Sequence, residues 1–271
     1  SETDIKMASE PVKSAPLSLV PQFITGNYNK NPVFLEDREY GLALDALVKA
    51  CSDILVCSAD GTSILLGKRK VEPQPDWWFI GGRARPGDST REAAARNVKR
   101  ELGLNLSVDR FYVISNFSMV WQFRQQEPKS NGTADISTVH CLELTKDEES
   151  MVKLDPKEYS SSKFFKLEQI LTGHFHPALK QAVKDLQKKR ALDSLCQVVD
   201  HLKRDDSSSL EKEGIDDEIH VVQAALAFVR SHKEASISEE SHQVIFRDGV
   251  YQKISSETEE IEEVKAKKQK N

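Results

Sequence analysis

The stretch WWFIGGRARPGDSTREAAARNVKRELGL, residues 77–104, decides the fold. It begins as a short apolar strand that ends at two glycines. After a polar turn the apolar period becomes helical, because Ala94, Val98 and Leu102 recur at every fourth position. The stretch therefore predicts a strand, a glycine turn and a helix in direct succession.

Local signals define both ends of this helix and the hairpin before it. Ser89 or Thr90 is available as the N-cap, and Gly103 follows as the C-terminal stop. Upstream, the segment DILVCSADGTSILLGKR places two apolar runs around Asp60-Gly61, which predicts a β-hairpin.

The remaining elements divide the 271 residues into three parts. Residues 1–45 contain several prolines and are predicted to form an N-terminal arm. Residues 46–190 alternate strands with a central and a late helix, which predicts an α+β domain. Residues 191–271 hold two amphipathic helices around a polar linker, a small hairpin and a charged tail.

Composition restricts the class of protein. No apolar run approaches the roughly 20 residues that a membrane span needs. A net charge of −5 does not indicate a nucleic-acid coat, which needs a basic surface. The four cysteines form no CxxC pair, so we expect reduced thiols and an intracellular location, in the cytoplasm or an organelle matrix. The chain begins with Ser1, and a removed presequence would not be visible.

The strand, glycine turn and helix resemble the signature of the Nudix hydrolases. The resemblance implies an α+β fold with a Nudix-type mixed β-sheet between helices, followed here by a helix and hairpin extension. Asp88 takes the position of the first glutamate, and Asn97 and Arg100 replace two of the later carboxylates. The positions that match are Gly82, Arg96, Val98, Glu101, Gly103 and Leu104.

These replacements affect how well the helix can bind a metal ion. Mg²⁺ needs hard oxygen ligands, and residues three or four apart on a helix share a face. Asn97, Arg100 and Glu101 are therefore predicted to point toward one site. Compared with the family signature, that face loses two anions and gains a cation.

The GDP-mannose mannosyl hydrolase branch of the family also keeps the last glutamate and lacks its partners, and residues 47–187 resemble it. The resemblance implies that Asp53 contacts the sugar and that Arg69 and Arg83 stabilise the diphosphate leaving group. It also implies that the Gly81 carbonyl and Glu101 bind Mg²⁺. In that branch water attacks the sugar carbon rather than phosphorus.

The late strand departs from this branch, which has a glutamine and a histidine there as ligand and general base. In PKEYSSSKFF, Glu158 can replace the metal ligand, while Tyr159 or Ser160 occupies the histidine position. Two hypotheses follow. One is a Mg²⁺-dependent hydrolase of a nucleoside diphosphate sugar. The other is an inactive module that binds a nucleotide, an RNA end or a protein partner within a larger complex.

Other residues admit structural interpretations. His174 and His176 are expected to cap the helix that follows them rather than bind metal. Trp77 and Trp78 are expected mainly in the core, and Asp88 is equally a loop acid or a ligand. The segment 191–271 is expected to dock a partner or a second copy of the chain, because its apolar faces cannot all be buried locally.

Overall fold

The computed structural model describes residues 20–31, 33–205, 214–237, 242–247 and 249–253. Much of the predicted N-terminal arm, the centre of the linker at 206–213 and the charged tail lie outside the described residues. Two compact units form within the described chain: residues 20–183 with 237–253, and residues 184–236.

The first unit contains a seven-stranded sheet. The strands are β1 (Lys49–Cys57), β2 (Ser63–Arg69), β3 (Trp77–Trp78), β4 (Ile80–Arg83), β5 (Tyr112–Trp121), β6 (Thr133–Glu143) and β7 (Tyr159–Lys166). Five of them are hydrogen-bonded in the order β3-β2-β1-β6-β5, while β4 pairs with β1 and β7 pairs with β2. The pair β1–β6 is parallel and the other pairs are antiparallel, so the predicted mixed α+β fold is confirmed.

Six α-helices, two short 3-10 helices (Val108–Arg110 and Lys129–Asn131) and a second, two-stranded sheet complete the described elements. The helices are α1 (Asp37–Ala46), α2 (Thr90–Leu102), α3 (Lys146–Met151), α4 (Leu167–Thr172), α5 (Pro177–Asp205) and α6 (Gly214–Ala235). The predicted C-terminal hairpin is confirmed as β8 (Val244–Arg247) paired with β9 (Val250–Lys253). None of the helices in these residues combines the length and apolarity that crossing a membrane requires.

Helix α2 forms as its sequence predicts. Ser89 is the N-cap, and its hydroxyl and the Glu92 side chain form a reciprocal capping box. Gly103 ends the helix with a φ of 74°, which glycine adopts without the strain of a Cβ. The face formed by Ala94, Val98 and Leu102 packs into the buried core against strands β1, β2 and β4. This packing fixes α2 over the glycine turn.

Two elements differ from the prediction. Helix α1 lies where only an arm was predicted; its apolar pattern is weak, and only Gly41 and Leu44 are buried. The two helices predicted on either side of residue 190 are one continuous helix, α5, because no glycine or proline interrupts the sequence there. The predicted domain boundary therefore falls inside a helix.

Candidate active site

The glycine turn is held close to strand β1. Gly81 lies opposite Asp53 and Gly82 opposite Ser52 in the antiparallel register of β4 and β1. A Cβ at Gly81 would overlap the Asp53 side chain, and a Cβ at Gly82 would lie 3.0 Å from an Arg100 nitrogen. Both positions are therefore glycine because other groups of the site approach the backbone closely.

The carboxylate of Glu101 is fully buried and has donors on both oxygens. One oxygen accepts hydrogen bonds from the Gly81 amide at 3.1 Å and from the Tyr159 hydroxyl. The other accepts a charge-assisted bond from the Arg100 guanidinium. Burial nevertheless raises the pKa of Glu101 above its usual value, and burial also raises the pKa of Tyr159. Glu101 thus joins α2, β4 and β7.

The residues that replace the signature acids have structural roles. The buried Asn97 amide donates to the Gly82 carbonyl at 2.9 Å and to the Ser52 carbonyl at 3.2 Å. With Arg100 beside Gly82 and Glu101 bonded to Gly81, the predicted convergence of these three side chains on one site is confirmed. Asn97 stabilises the glycine turn without contributing charge.

Asp88, at the first acid position of the signature, is paired inside its loop. It forms ion pairs with Arg96 at 3.1 Å and with Lys30 at 3.4 Å, and it accepts a hydrogen bond from the Arg85 amide. These contacts give Asp88 the role of a loop acid.

A cavity of about 200 Å³ opens beside the glycine turn. Five of the six predicted site residues line it: Asp53, Arg69, Gly81, Arg83 and Glu158. Glu101 lies behind this wall, bonded to Gly81. Other residues also line the cavity. One is Arg100, which was predicted to point toward this site. Those not predicted as site residues include Tyr40, Lys49, Glu72, Trp78, Trp121, Arg124 and Asp135.

Several of the additional charges are paired. Lys49 forms an ion pair with Asp135 at 2.9 Å, and the buried Arg124 forms one with Asp45 at 2.6 Å. Arg69 differs, because its buried Nε has no hydrogen-bond partner among the described residues. Arg83 is exposed and stacks over the Tyr40 ring at 4.7 Å. Arg69 and Arg83 are thus cations that face the cavity and are available to an anion.

Asp53 lines the cavity and is bonded to strand β6. Its Oδ2 accepts a hydrogen bond from the Ser137 hydroxyl at 2.6 Å. Burial raises the pKa of Asp53 to about 6, with a further contribution from Asp135, whereas Ser137 and Arg69 oppose the rise. A carboxyl with this pKa exchanges protons near neutral pH, as acid–base catalysis requires.

The described residues do not form a metal site on their own. They contain no cluster of three or more His, Cys, Asp or Glu side chains placed to hold an ion. Both oxygens of Glu101 accept bonds from protein groups, and the Arg100 cation lies beside it. Mg²⁺ bound by Gly81, Glu101 and Glu158 would thus require further oxygen ligands from a substrate, and it stays a prediction.

His176 has a structural role at the start of α5. His176 accepts a hydrogen bond from the Ala178 amide at 3.1 Å and so caps α5, as predicted. Burial lowers the pKa of His176 to about 4, which keeps the ring neutral. Its ring packs against Trp78 and Trp121, with centroids 5.1 Å and 5.9 Å away.

Comparison with known proteins gives a family match over the sheet and its helices. A family model described as the NUDIX domain matches residues 49–186, about half of the chain. The signature and the glycine turn lie within the matched region, as do the residues that line the cavity except Tyr40 and Leu44.

Solved structures resemble about half of this chain at low identity. A MutT protein from Methanosarcina mazei Go1 is 19% identical with a TM-score of 0.41, over 54% of this chain and 95% of that chain. The E. coli dihydroneopterin triphosphate pyrophosphohydrolase is 18% identical with a TM-score of 0.41, over 51% of this chain and 95% of that chain. The C. elegans Ap4A hydrolase is 14% identical with a TM-score of 0.36, over 52% of this chain and 96% of that chain.

The raised pKa of Asp53 predicts a distinctive pH dependence of stability. Between about pH 4 and pH 6 the native state binds more protons at this group than the unfolded state does, so the free energy of unfolding falls as pH rises. Asp53→Asn removes this contribution. From about pH 4 to about pH 6, the free energy of unfolding of wild type should therefore fall by on the order of 2 kcal/mol relative to that of the variant. Urea unfolding at several pH values measures the difference.

Asp60→Asn is the matched control of opposite sign. Hydrogen bonds from Ser58 and Thr62 hold the pKa of Asp60 below its usual value. Wild type should therefore gain stability relative to this variant as pH rises through the ordinary aspartate range. Parallel pH profiles for wild type and Asp53→Asn would contradict the assignment of a raised pKa to Asp53.

Proposed function

This chain belongs to the NUDIX domain family, and on that premise we propose that it hydrolyses a nucleotide-type substrate, specifically a nucleoside diphosphate sugar. The observation that carries the proposal is the buried Nε of Arg69, which has no hydrogen-bond partner in the part of the chain that the structure describes. It belongs to a cavity that also contains Asp53. GDP-mannose is the first substrate to test, because the sequence resembles the hydrolases of that sugar nucleotide.

The diphosphate is proposed to lie between Arg69 and Arg83. Arg69 extends from the end of β2 and Arg83 from the end of β4, and both line the cavity. Guanidinium groups bind phosphate oxygens through strong charge-assisted hydrogen bonds. In hydrolysis at the sugar carbon, the bond from that carbon to the phosphate oxygen breaks, and the arginines stabilise the negative charge that the leaving diphosphate acquires.

The carboxyls of the cavity are proposed to act on the sugar and water. Asp53 lies at the buried side of the cavity, and Glu158 lies in its wall beside β7. Water that bonds to the sugar carbon must lose a proton, and a carboxylate within reach can accept it. The proposal assigns sugar contact to Asp53 and catalytic assistance to Glu158. Mg²⁺, when bound with the diphosphate, would neutralise phosphate charge.

The contacts of Glu101 favour the second hypothesis, a module that binds without turnover. Its two oxygens already accept bonds from Gly81, Tyr159 and Arg100, so a metal ion at Glu101 would have to share or displace these contacts. Tyr159 or Ser160 stands where the resembled hydrolases have a basic histidine, and burial raises the pKa of Tyr159. Under this alternative the same arginines bind a nucleotide, and no product forms.

Arginine variants test the diphosphate site. Arg69→Ala and Arg83→Ala should each weaken GDP binding by about 10- to 150-fold, because each removes charge-assisted bonds of about 1.5–3 kcal/mol. Calorimetry gives the affinities, and release of free sugar from a panel of nucleotide sugars gives turnover.

The matched control is Arg110→Ala, since Arg110 pairs with Glu148 outside the cavity. Unchanged affinity in both cavity variants would exclude the shared diphosphate site. Tight binding without sugar release over the whole panel would favour the module that only binds.

Glu101→Gln tests the role of magnesium. The substitution keeps the shape of the side chain and removes its charge. If Glu101 and the Gly81 carbonyl hold the ion together with phosphate oxygens, wild type should bind GDP more tightly with Mg²⁺ than with EDTA. The variant should lose most of that difference. If wild type and Glu101→Gln bind GDP with the same affinity, each with Mg²⁺ and with EDTA, the arginines act without Mg²⁺.

The segment 191–271 is proposed to associate with a second copy of the chain. Four exposed apolar side chains on α6 recur at alternating spacings of three and four: Ile219, Val222, Leu226 and Val229. This spacing is typical of helices that pair along an apolar seam. The first turn of α6 is acidic in sequence and its last turn holds His232 and Lys233, so an antiparallel pair of copies is complementary in charge.

Leu226→Glu tests this association. A charge in the centre of the seam should convert a dimer to a monomer, as measured by light scattering after gel filtration, without changing the circular dichroism of the monomer. The control is Gln223→Glu, which changes charge beside the seam. A wild type that is monomeric at high concentration would contradict the proposal.

A further inference from the structure

The C-terminal hairpin β8–β9 contacts the segment that follows β2, although it lies more than fifty residues beyond the matched NUDIX region. Tyr251 on β9 reaches residues 70–76, the loop between β2 and β3, which we name the 70–76 loop. We propose that Tyr251 is a positioning residue that orders this loop and, through it, the anion-binding end of the cavity. That the cavity receives a nucleotide rests on the function proposed above.

The Tyr251 hydroxyl bonds two side chains of the 70–76 loop. It accepts a hydrogen bond from the Gln74 amide, and it donates one to the Asp76 carboxylate at 3.0 Å. Gln74 is buried, so its amide would otherwise lack a solvent partner. One hydroxyl thus fixes two positions near the end of the loop.

The same loop is bonded to the residue proposed to bind phosphate. The Arg69 amide donates to the Asp76 carbonyl at 3.0 Å. Asp76 is therefore bonded to Tyr251 through its carboxylate and to Arg69 through its backbone carbonyl. Glu72 and Pro73, in the middle of the loop, line the cavity. Movement of the loop would therefore displace both the cavity wall and the strand end from which the Arg69 guanidinium extends.

The Tyr251 ring supports a second wall of the cavity. It lies edge-on to His176 with centroids 5.2 Å apart. The His176 ring in turn contacts Trp78 and Trp121, both of which line the cavity. The hydroxyl therefore orders the polar loop, whereas the ring supports the aromatic side. Two substitutions separate these roles: Tyr251→Phe removes only the hydroxyl, and Tyr251→Ala removes both.

Hydrogen exchange without any ligand tests the positioning itself. In Tyr251→Ala, amide exchange in residues 69–76 should accelerate by at least about 10-fold, because the loop loses bonds that hold it closed. Tyr251→Phe should accelerate exchange in the same residues, and only Tyr251→Ala should also change the near-ultraviolet circular dichroism of the tryptophans. The control is Tyr112→Phe, whose hydroxyl contacts Glu143 on strand β6. Exchange in residues 69–76 that is unchanged in both Tyr251 variants overturns the proposal.

GDP titration adds the readout at the site. Tyr251→Phe should weaken GDP binding by about 10-fold with no change in global stability beyond that of the control, and Arg69→Ala should remove this sensitivity. Faster exchange in the Tyr251 variants of a protein that does not bind GDP supports the positioning role while excluding the proposed function. GDP binding that is indifferent to Tyr251, with unchanged exchange, overturns the positioning role alone.

Discussion

The buried carboxylate of Glu101 is the interaction on which the site depends. An ionised or protonated carboxyl inside a protein is costly unless its oxygens are hydrogen-bonded. Glu101 meets this requirement through Gly81, Tyr159 and Arg100, which belong to three different parts of the domain. Two of the contacts constrain geometry between elements: the bond from Gly81 holds α2 beside β4 at the glycine turn, and the bond from Tyr159 holds the start of β7 beside α2.

Replacement of signature acids changes what this arrangement can do. The face of α2 that meets the glycine turn presents an amide at Asn97, a guanidinium at Arg100 and one carboxylate at Glu101. Its formal charge is close to neutral, whereas a face with several carboxylates attracts divalent cations. The cavity in front of it carries arginines, which favour an anionic ligand directly. Among them is Arg69, whose buried Nε has no hydrogen-bond partner among the described residues.

Local features of this fold could be predicted from the sequence, and long-range pairings could not. The hairpin at Asp60-Gly61 and the caps of α2 depend on residues a few positions apart, whose chemistry is visible in the chain. The choice of Asp53, Arg69 and Arg83 came from a family resemblance, and the structure brings them to one cavity. By contrast, no local pattern links Lys49 with Asp135 or Tyr251 with Asp76.

Tyr159 shows how a sequence resemblance can leave a role open. Tyr159 or Ser160 stands where the resembled hydrolases have a histidine, which raised the question of a missing base. The Tyr159 hydroxyl donates to Glu101, so this residue takes part in the internal bonding of the site. A catalytic base and a hydrogen-bond donor inside the site require different geometries, and only a folded structure distinguishes them.

The central claim is that the cavity beside the glycine turn binds a nucleoside diphosphate through its arginines while Glu101 remains bonded within the protein. A crystal structure of the full chain with GDP tests it most directly. We predict phosphate oxygens within hydrogen-bond distance of the Arg69 and Arg83 guanidinium groups, with the bonds from Gly81 and Tyr159 to Glu101 retained. GDP bound outside this cavity, or with its phosphates directed away from both arginines, would contradict the account.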